Sequence, residues 1–308
     1  MKILVYGAGV LGCNLAASLS RKHNVTLLAR GAWADEIAAH GLKIKKRYLP
    51  TVKKYALPVV TSLSPNDVYD AIFVVVRYTQ LTSVLGALGE NRSENIIFVG
   101  NNVRACETRE ALPNKNVMFA FTLAAGHRER DRVVSINLKK ITIGGLDKDS
   151  TDRGLIARIF DSTGYKVKLE ENMGDYLLCH AAFVIPAAFA CYYTDGDLRK
   201  IKSDIPYINK MIDANIEGYR AIRNSGHEIL PSDDSDFESA KYRGTCEKFF
   251  KLMCATSLGE ICASDHAMNA IDEMSALNRD IKEFYDSEGA KYPVWTELEA
   301  SAGRHILK

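Results

Sequence analysis

Six residues near the start of the chain, Gly7-Ala8-Gly9-Val10-Leu11-Gly12, have the types and spacing to hold a pyrophosphate. The first glycine permits a sharp turn, the second lets the backbone approach the anion, and the third lets a following helix pack closely on the strand before it. The head of that helix turns unpaired N–H groups towards the phosphates. Arg30 stands where dinucleotide-binding folds often carry an acid for the ribose hydroxyls. An acid would repel a 2′-phosphate, whereas an arginine pairs with it, so the sequence predicts NADP(H). The other reading of Arg30 is a solvated surface residue. Arg77 and Asn101 follow the apolar runs DAIFVVV (70–76) and NIIFVG (95–100). In a doubly wound sheet the carboxyl ends of strands meet the ligand, so each of these two either reaches the nicotinamide or substrate or caps a helix.

For these positions to converge, the runs between them must be strands of one sheet. Lys2 to Tyr6 suits a buried parallel strand, Leu11, Leu15 and Leu19 mark an amphipathic helix, and residues 25–29 a second strand at βαβ spacing. Residues 34–40 read as helix, and polar-apolar alternation runs from Gly41 to about Val60. Its lysines and arginine (Lys43, Lys45, Lys46, Arg47, Lys53, Lys54) form either an anion site or the solvated face of a hairpin, and the alternation favours the hairpin. Residues 117–123, 133–138 and 141–144 read as an antiparallel extension, 152–162 as helix, and 165–169, with Lys166 and Lys168, as a last strand. Beyond it come helices at 172–193, 206–225, 236–253 and 267–287. The predicted architecture is α/β. A Rossmann-type doubly wound sheet over residues 1–170 binds NADP, and an all-helical domain over 171–308 serves substrate binding and dimerisation.

Composition sets outer bounds. At 308 residues, 47% hydrophobic and 25% charged, the chain is ordinary for a globular protein and long enough for two domains. A net charge of +2 gives no argument for a nucleic-acid or membrane partner. The glycine turn breaks the apolar start, so no signal peptide is expected, and no uninterrupted apolar run reads as long enough to span a bilayer. The seven cysteines form no CxxC pair and are expected to be reduced, buried thiols of a cytoplasmic protein. No metal is expected, because Asp195-Gly196-Asp197 lacks further ligands and suits a helix cap at Asp197.

The glycine fingerprint, the strand ending Ala29-Arg30-Gly31 before a helix and Gly41-Leu42, the DAIFVVVRYTQ and FVGNN segments and the helical second half together resemble the ketopantoate reductase family. The resemblance implies NADPH-dependent reduction of a small 2-oxo acid, 2-dehydropantoate to pantoate, a step towards pantothenate and coenzyme A. A homodimer is compatible with it and with the long apolar helices. It also implies cofactor contacts from Gly7, Gly9, Val10, Leu11, Gly12, Arg30, Arg77 (in place of a family lysine) and Asn101, the last also touching substrate. Where the family carries a catalytic lysine and two asparagines at four-residue intervals, this chain has Tyr176, His180 and Val184. Asp265, Glu273, Asn278, Gly289 and Pro293 follow the family pattern near the C-terminus, with the glycine and proline closing a helix, whereas Ile261 replaces a serine. By this register Glu273 and Asn278 bind substrate and Glu273 belongs to the catalytic group; the alternative for Glu273 is a surface glutamate on a charged helix.

With the lysine gone, His180 is the best-suited proton donor, since imidazole titrates near neutral pH. One helical turn from Tyr176, it shares a face with it. His180 is otherwise a core histidine with a satisfied hydrogen bond. Tyr176 is the weaker donor, because a phenol needs a positive neighbour to give up its proton readily. His266 is an acid, a relay or a surface residue, and Pro186 is expected to kink its helix. Two rival readings stand beside the reductase: another carbonyl or imine substrate, and a non-catalytic NADP-binding redox sensor.

Overall fold

A computed structural model describes residues 1–303, less the side chains of Leu258, Ile261 and Cys262; the expectation placed on Ile261 therefore lies outside the described residues. Ile3 to Tyr6 are all buried, and the strand they form, β1 (Lys2–Tyr6), lies inside a ten-stranded sheet. The other strands are β2 (Asn24–Leu28), β3 (Leu42–Lys46), β4 (Val52–Tyr55), β5 (Val59–Val60), β6 (Ala71–Val74), β7 (Asn95–Val99), β8 (Asn116–Arg128), β9 (Val133–Gly144) and β10 (Lys166–Leu169). Their spatial order is β4-β3-β9-β8-β7-β6-β1-β2-β5, with β10 beside β9. The strands from β8 through β7, β6, β1 and β2 to β5 are parallel, as the Rossmann-type reading requires. β8 and β9 form the expected antiparallel extension as one long hairpin, so the break expected near residue 139 is a left-handed residue, Lys139 (φ +51°), inside a continuous strand. β3 and β4 form the basic hairpin.

Helices α1 (Val10–Leu19), α2 (Gly31–His40), α3 (Leu81–Glu90), α4 (Ala105–Glu110) and α5 (Arg153–Phe160) connect these strands. α1 buries Cys13, Leu15, Ala16 and Leu19 in the core. It is also tied to β9, for Asn14 Nδ2 donates to Ser135 Oγ (3.0 Å) and Ser135 Oγ donates back to Asn14 Oδ1 (3.1 Å). Two compact units emerge. One comprises Met1–Gly100 and Arg104–Gly174, and the other Asn101–Val103 and the chain from Asp175 onward.

The second unit is helical: α6 (Met173–Tyr193), α7 (Ile205–Asn224), α8 (Ala240–Ala255), α9 (Ser257–Gly259), a π-helical turn at Glu260–Ser264, α10 (Asp265–Asn269), α11 (Ile271–Ser287) and α12 (Pro293–Ser301). α6 passes through Pro186 as one helix of 21 residues. By length and apolar character it could cross a membrane, which corrects the expectation that no segment is long enough; 67% of its most apolar window is buried inside the protein, as in a core helix. Pro293 opens α12 rather than closing α11, because proline at the first helical position forfeits an N–H that would have no partner there. α11 instead ends at Ser287, and Gly289 (φ +64°) follows its cap in the left-handed conformation that stops the helix. Glu217 on α7 caps α12 by accepting from the N–H groups of Val294 (3.1 Å) and Trp295 (2.9 Å).

Gly218, the next residue on α7, makes room for a fully buried Tyr285: a Cβ there would stand 2.5 Å from the tyrosine hydroxyl and 3.0 Å from Ala182 Cβ. Gly218→Ala is therefore expected to cost about 1–3 kcal/mol by overpacking, read as a lower urea midpoint with unchanged slope.

Candidate active site

The register of the parallel strands determines which residues share one edge of the sheet. Tyr6 pairs with Leu28 on one side and Val74 on the other, and Val74 pairs with Phe98. Gly7, Ala29-Arg30, Val75 to Arg77 and Val99-Gly100 therefore leave their strands along one edge, with β1 at the point where the chain's direction of winding reverses. This is the switch point at which doubly wound sheets bind ligands.

At that edge the three fingerprint glycines do different work. A Cβ on Gly7 (φ +121°) would lie 2.1 Å from the Val75 carbonyl oxygen, and one on Gly12 would lie 1.9 Å from the Gly7 oxygen. Both glycines are thus required by the fold. A Cβ on Gly9 would meet nothing within 4 Å. The exposed Gly9 leaves open ground at the head of α1, and that gap fits a pyrophosphate lying against the backbone and the first-turn N–H groups beside Val10, Leu11 and Gly12. The turn is braced from below, where Trp33 Nε1 (2.9 Å) and the Cys13 thiol (3.4 Å) donate to the Ala8 carbonyl. Arg128 stacks over the Trp33 ring at 5.4 Å. Neither Trp33 nor Arg128 was legible in the sequence, since no local pattern tells that α2 and the end of β8 reach this turn.

Arg30 is exposed and immediately precedes α2, while Arg77 is exposed and precedes a 3-10 turn at Tyr78–Gln80, where Gln80 Oε1 accepts from the Arg77 N–H (3.3 Å). Asn101, next after Gly100, has its side-chain oxygen buried with no hydrogen-bond partner among the described residues. Buried acceptors are almost always satisfied, so such an atom is one that a ligand donor would complete.

In the helical unit, Tyr176, His180 and Phe183 of α6 line a cavity of about 120 Å³ with Tyr219, Leu230, Pro231 and Asp234. The Tyr176 and His180 rings lie parallel, 5° apart in plane with centroids 6.4 Å apart. Tyr219 donates to Asp234 Oδ2 (3.1 Å) across the wall, and burial pushes its phenol well above the usual range. Desolvation, helped by the nearby charge of His266, lowers the His180 imidazole to about 4. At neutral pH the ring is therefore uncharged. It can offer one N–H and one lone pair but is not an imidazolium acid, which changes the chemistry expected of it.

Glu273 is 5% exposed in the first turn of α11, which removes the surface reading. Asn278 departs from its expected substrate role. Its Oδ1 accepts from Trp295 Nε1 (2.9 Å) and its Nδ2 donates to Glu299 (2.6 Å), so both ends of the amide hold α11 to α12. His266 is exposed, and Asp197 caps the turn at Leu198–Ile201 by accepting from Arg199 N (3.2 Å). Of the six described cysteines five are buried and Cys106 is exposed; burial lifts the Cys13, Cys179 and Cys191 thiols to about 12. Cys262 lies outside the described side chains.

Residues 3–148 match the family model Ketopantoate reductase PanE/ApbA. Residues 3–148 belong to the ketopantoate reductase family. No curated protein matches the sequence. Several solved structures share the fold of the whole chain. D-mandelate dehydrogenase with NADH and anilino(oxo)acetate superposes at a TM-score of 0.81 with 16% identity, covering 99% of this chain and 98% of that one. A PanE/ApbA family ketopantoate reductase from Ralstonia eutropha JMP134 gives 0.75 at 18% identity, covering 99% and 98%. The 2-dehydropantoate 2-reductase from Geobacter metallireducens GS-15 gives 0.77 at 17% identity, covering 98% and 99%. At these identities the likeness is one of fold.

Proposed function

We propose that this protein is an NADPH-dependent reductase of a small 2-oxo acid, with 2-dehydropantoate, reduced to pantoate, as its first candidate substrate. The family match supports the coarser part, an NAD(P)-dependent oxidoreductase acting on keto or hydroxyl groups. The observation that carries the reading is the open ground over Gly9 at the head of α1, a gap the fold itself does not need. When bound, the reduced nicotinamide supplies the hydride. The first-turn amides of α1 hold the pyrophosphate, Arg30 pairs with the 2′-phosphate, and Arg77 adds positive charge at the same sheet edge. Asn101 offers its unpartnered oxygen to a donor on the ligand. Neutral His180 donates an N–H hydrogen bond to the carbonyl oxygen as that atom gains negative charge, the resulting alkoxide takes its proton from water, and Tyr176, parallel to His180, orients the ring. Glu273 receives a substrate hydroxyl.

NADPH oxidation followed at the nicotinamide absorbance, with 2-dehydropantoate and then a panel of 2-oxo acids, tests this. Turnover supports the assignment; tight NADPH binding without turnover of any acid replaces it with a cofactor-sensing role. A second reading, reduction of a different carbonyl or imine, is favoured by one observation: Tyr176 occupies the position of the family lysine. Turnover of other acids but not 2-dehydropantoate would select it. Arg30→Ala is expected to weaken NADPH about 10- to 100-fold while leaving NADH within about twofold, because only the former offers a 2′-phosphate to the guanidinium. Equal losses in the two titrations would remove Arg30 from cofactor choice. Sedimentation tests the expected homodimer.

A further inference from the structure

The basic hairpin β3/β4 is not an isolated solvated face, because two cations from other elements join it. Lys139 occupies a left-handed backbone position inside β9 (φ +51°), held there by Asn137 Oδ1, which accepts from the Lys139 N–H at 2.8 Å. The β8/β9 register shifts here, Thr122 pairing with Ile141 and Ala124 with Asn137, and a bulge of this kind re-aims the side chain it carries. The Lys139 side chain reaches Gly164 (φ +85°), together with that of Arg21, which follows α1. A point one bond out from the Gly164 α-carbon lies 3.2 Å from Lys139 Nζ and 3.7 Å from Arg21 Nη1. Two like-charged head groups thus converge on a residue with no side chain.

Lys53 in β4 pairs with Ile44, two residues before Lys46 at the end of β3, so the two lysines share one face of the hairpin, and Lys46 lies beside Ser135 of β9, four residues before Lys139. Burial first, then Arg21, Lys46 and Lys53, lower the Lys139 pKa. Among the described residues no carboxylate pairs with any of the four. Asp161, the nearest acid to Gly164 in sequence, accepts from its neighbour Ser162 Oγ (3.2 Å) and makes no ion pair. The C-terminal dipole of α1 accounts for Arg21 alone, not for the convergence of the other three upon it. On a chain with a net charge of only +2, four cations gathered without an acid are arranged for an anion that arrives from outside.

We propose that Lys139, Arg21, Lys46 and Lys53 form a binding site for a phosphate group, carried by a small soluble phosphate compound or by a lipid headgroup. The site adjoins the end of α1 away from the glycine turn, and α1 is ten residues, about 15 Å, long. It is therefore separate from the pyrophosphate ground at Gly9.

Calorimetric titration of the full chain with inorganic pyrophosphate in saturating NADPH, which fills the ground at Gly9, tests the site, with cosedimentation on phosphatidylglycerol vesicles, against phosphatidylcholine, as the second arm. The Arg21→Gln/Lys139→Gln variant is expected to weaken binding at least about tenfold, since two charge-assisted contacts are lost. Arg21→Gln/Lys139→Asn, whose asparagine suits a left-handed backbone, repeats the loss without burdening the fold. Pyrophosphate binding identifies a soluble ligand and vesicle binding a headgroup, each supporting the site when the double variants lose it. Binding that survives in the double variants overturns the proposal, as does the absence of binding in both arms.

Discussion

Gly9→Ala is expected to bind NADPH about 100-fold more weakly, a loss of about 2.8 kcal/mol, while remaining within about 1 kcal/mol of the parent in stability. The two effects separate because the methyl group meets no protein atom within 4 Å, yet it occupies the ground on which a pyrophosphate would lie. The small stability cost allowed for is that of alanine as a poorer N-cap than glycine. Gly12→Ala should do the reverse in order of cause. Its Cβ would overlap the Gly7 carbonyl at 1.9 Å, so α1 must shift away from β1 and about 3 kcal/mol of stability goes with it before any cofactor is added. Urea denaturation of the cofactor-free proteins and fluorescence titration with NADPH distinguish the pair. Undiminished NADPH binding by Gly9→Ala would withdraw the pyrophosphate assignment, because no other consequence of that substitution could compensate for a blocked approach.

His180→Ala should lower kcat by at least about 100-fold with NADPH affinity unchanged, the usual scale for removing a group that acts on the reacting oxygen. The same residue leaves a mark on stability. Its folded pKa of about 4 lies below the ordinary histidine value of 6.5, so the neutral ring's contribution is complete above pH 6.5 and is lost as pH falls through 4. Over that window the contribution amounts to at most about 3 kcal/mol, reduced by the ring's partial exposure. The stability profile of His180→Ala should be correspondingly flatter between pH 6.5 and 4. Turnover should show no step from His180 between pH 6 and 8. An ionisation near 6.5 that vanishes in the variant would show instead that His180 is protonated when it acts, and would return the imidazolium acid to the mechanism.

The sequence carried what is local. Alternation and apolar runs located β1, β2, β6 and β7, and the fingerprint's spacing indicated which of its glycines the fold needs and which a ligand needs. Four-residue spacing placed Tyr176 and His180 on one face. What sequence could not carry is set by partners far along the chain. The charge state of His180 depends on a desolvated wall that includes Tyr219, Leu230 and Pro231, and Asn278 is engaged by Trp295 and Glu299. Trp33 reaches back under the glycine turn, while Lys139 meets Arg21 across more than a hundred residues. The long β8/β9 hairpin was read as separate pieces because a left-handed lysine interrupts the apolar pattern without ending the strand.

The sheet's free edges bear on self-association. β4 presents Lys53 and Lys54, β10 alternates Lys166 and Lys168 with Val167 and Leu169, and β5 is only two residues long. Each open row of N–H and C=O groups is thus either charged or too short to template another strand, the means by which β-proteins avoid edge-to-edge growth. A second copy of this chain has no ladder to extend here, so a homodimer would have to form through side-chain packing elsewhere on the molecule.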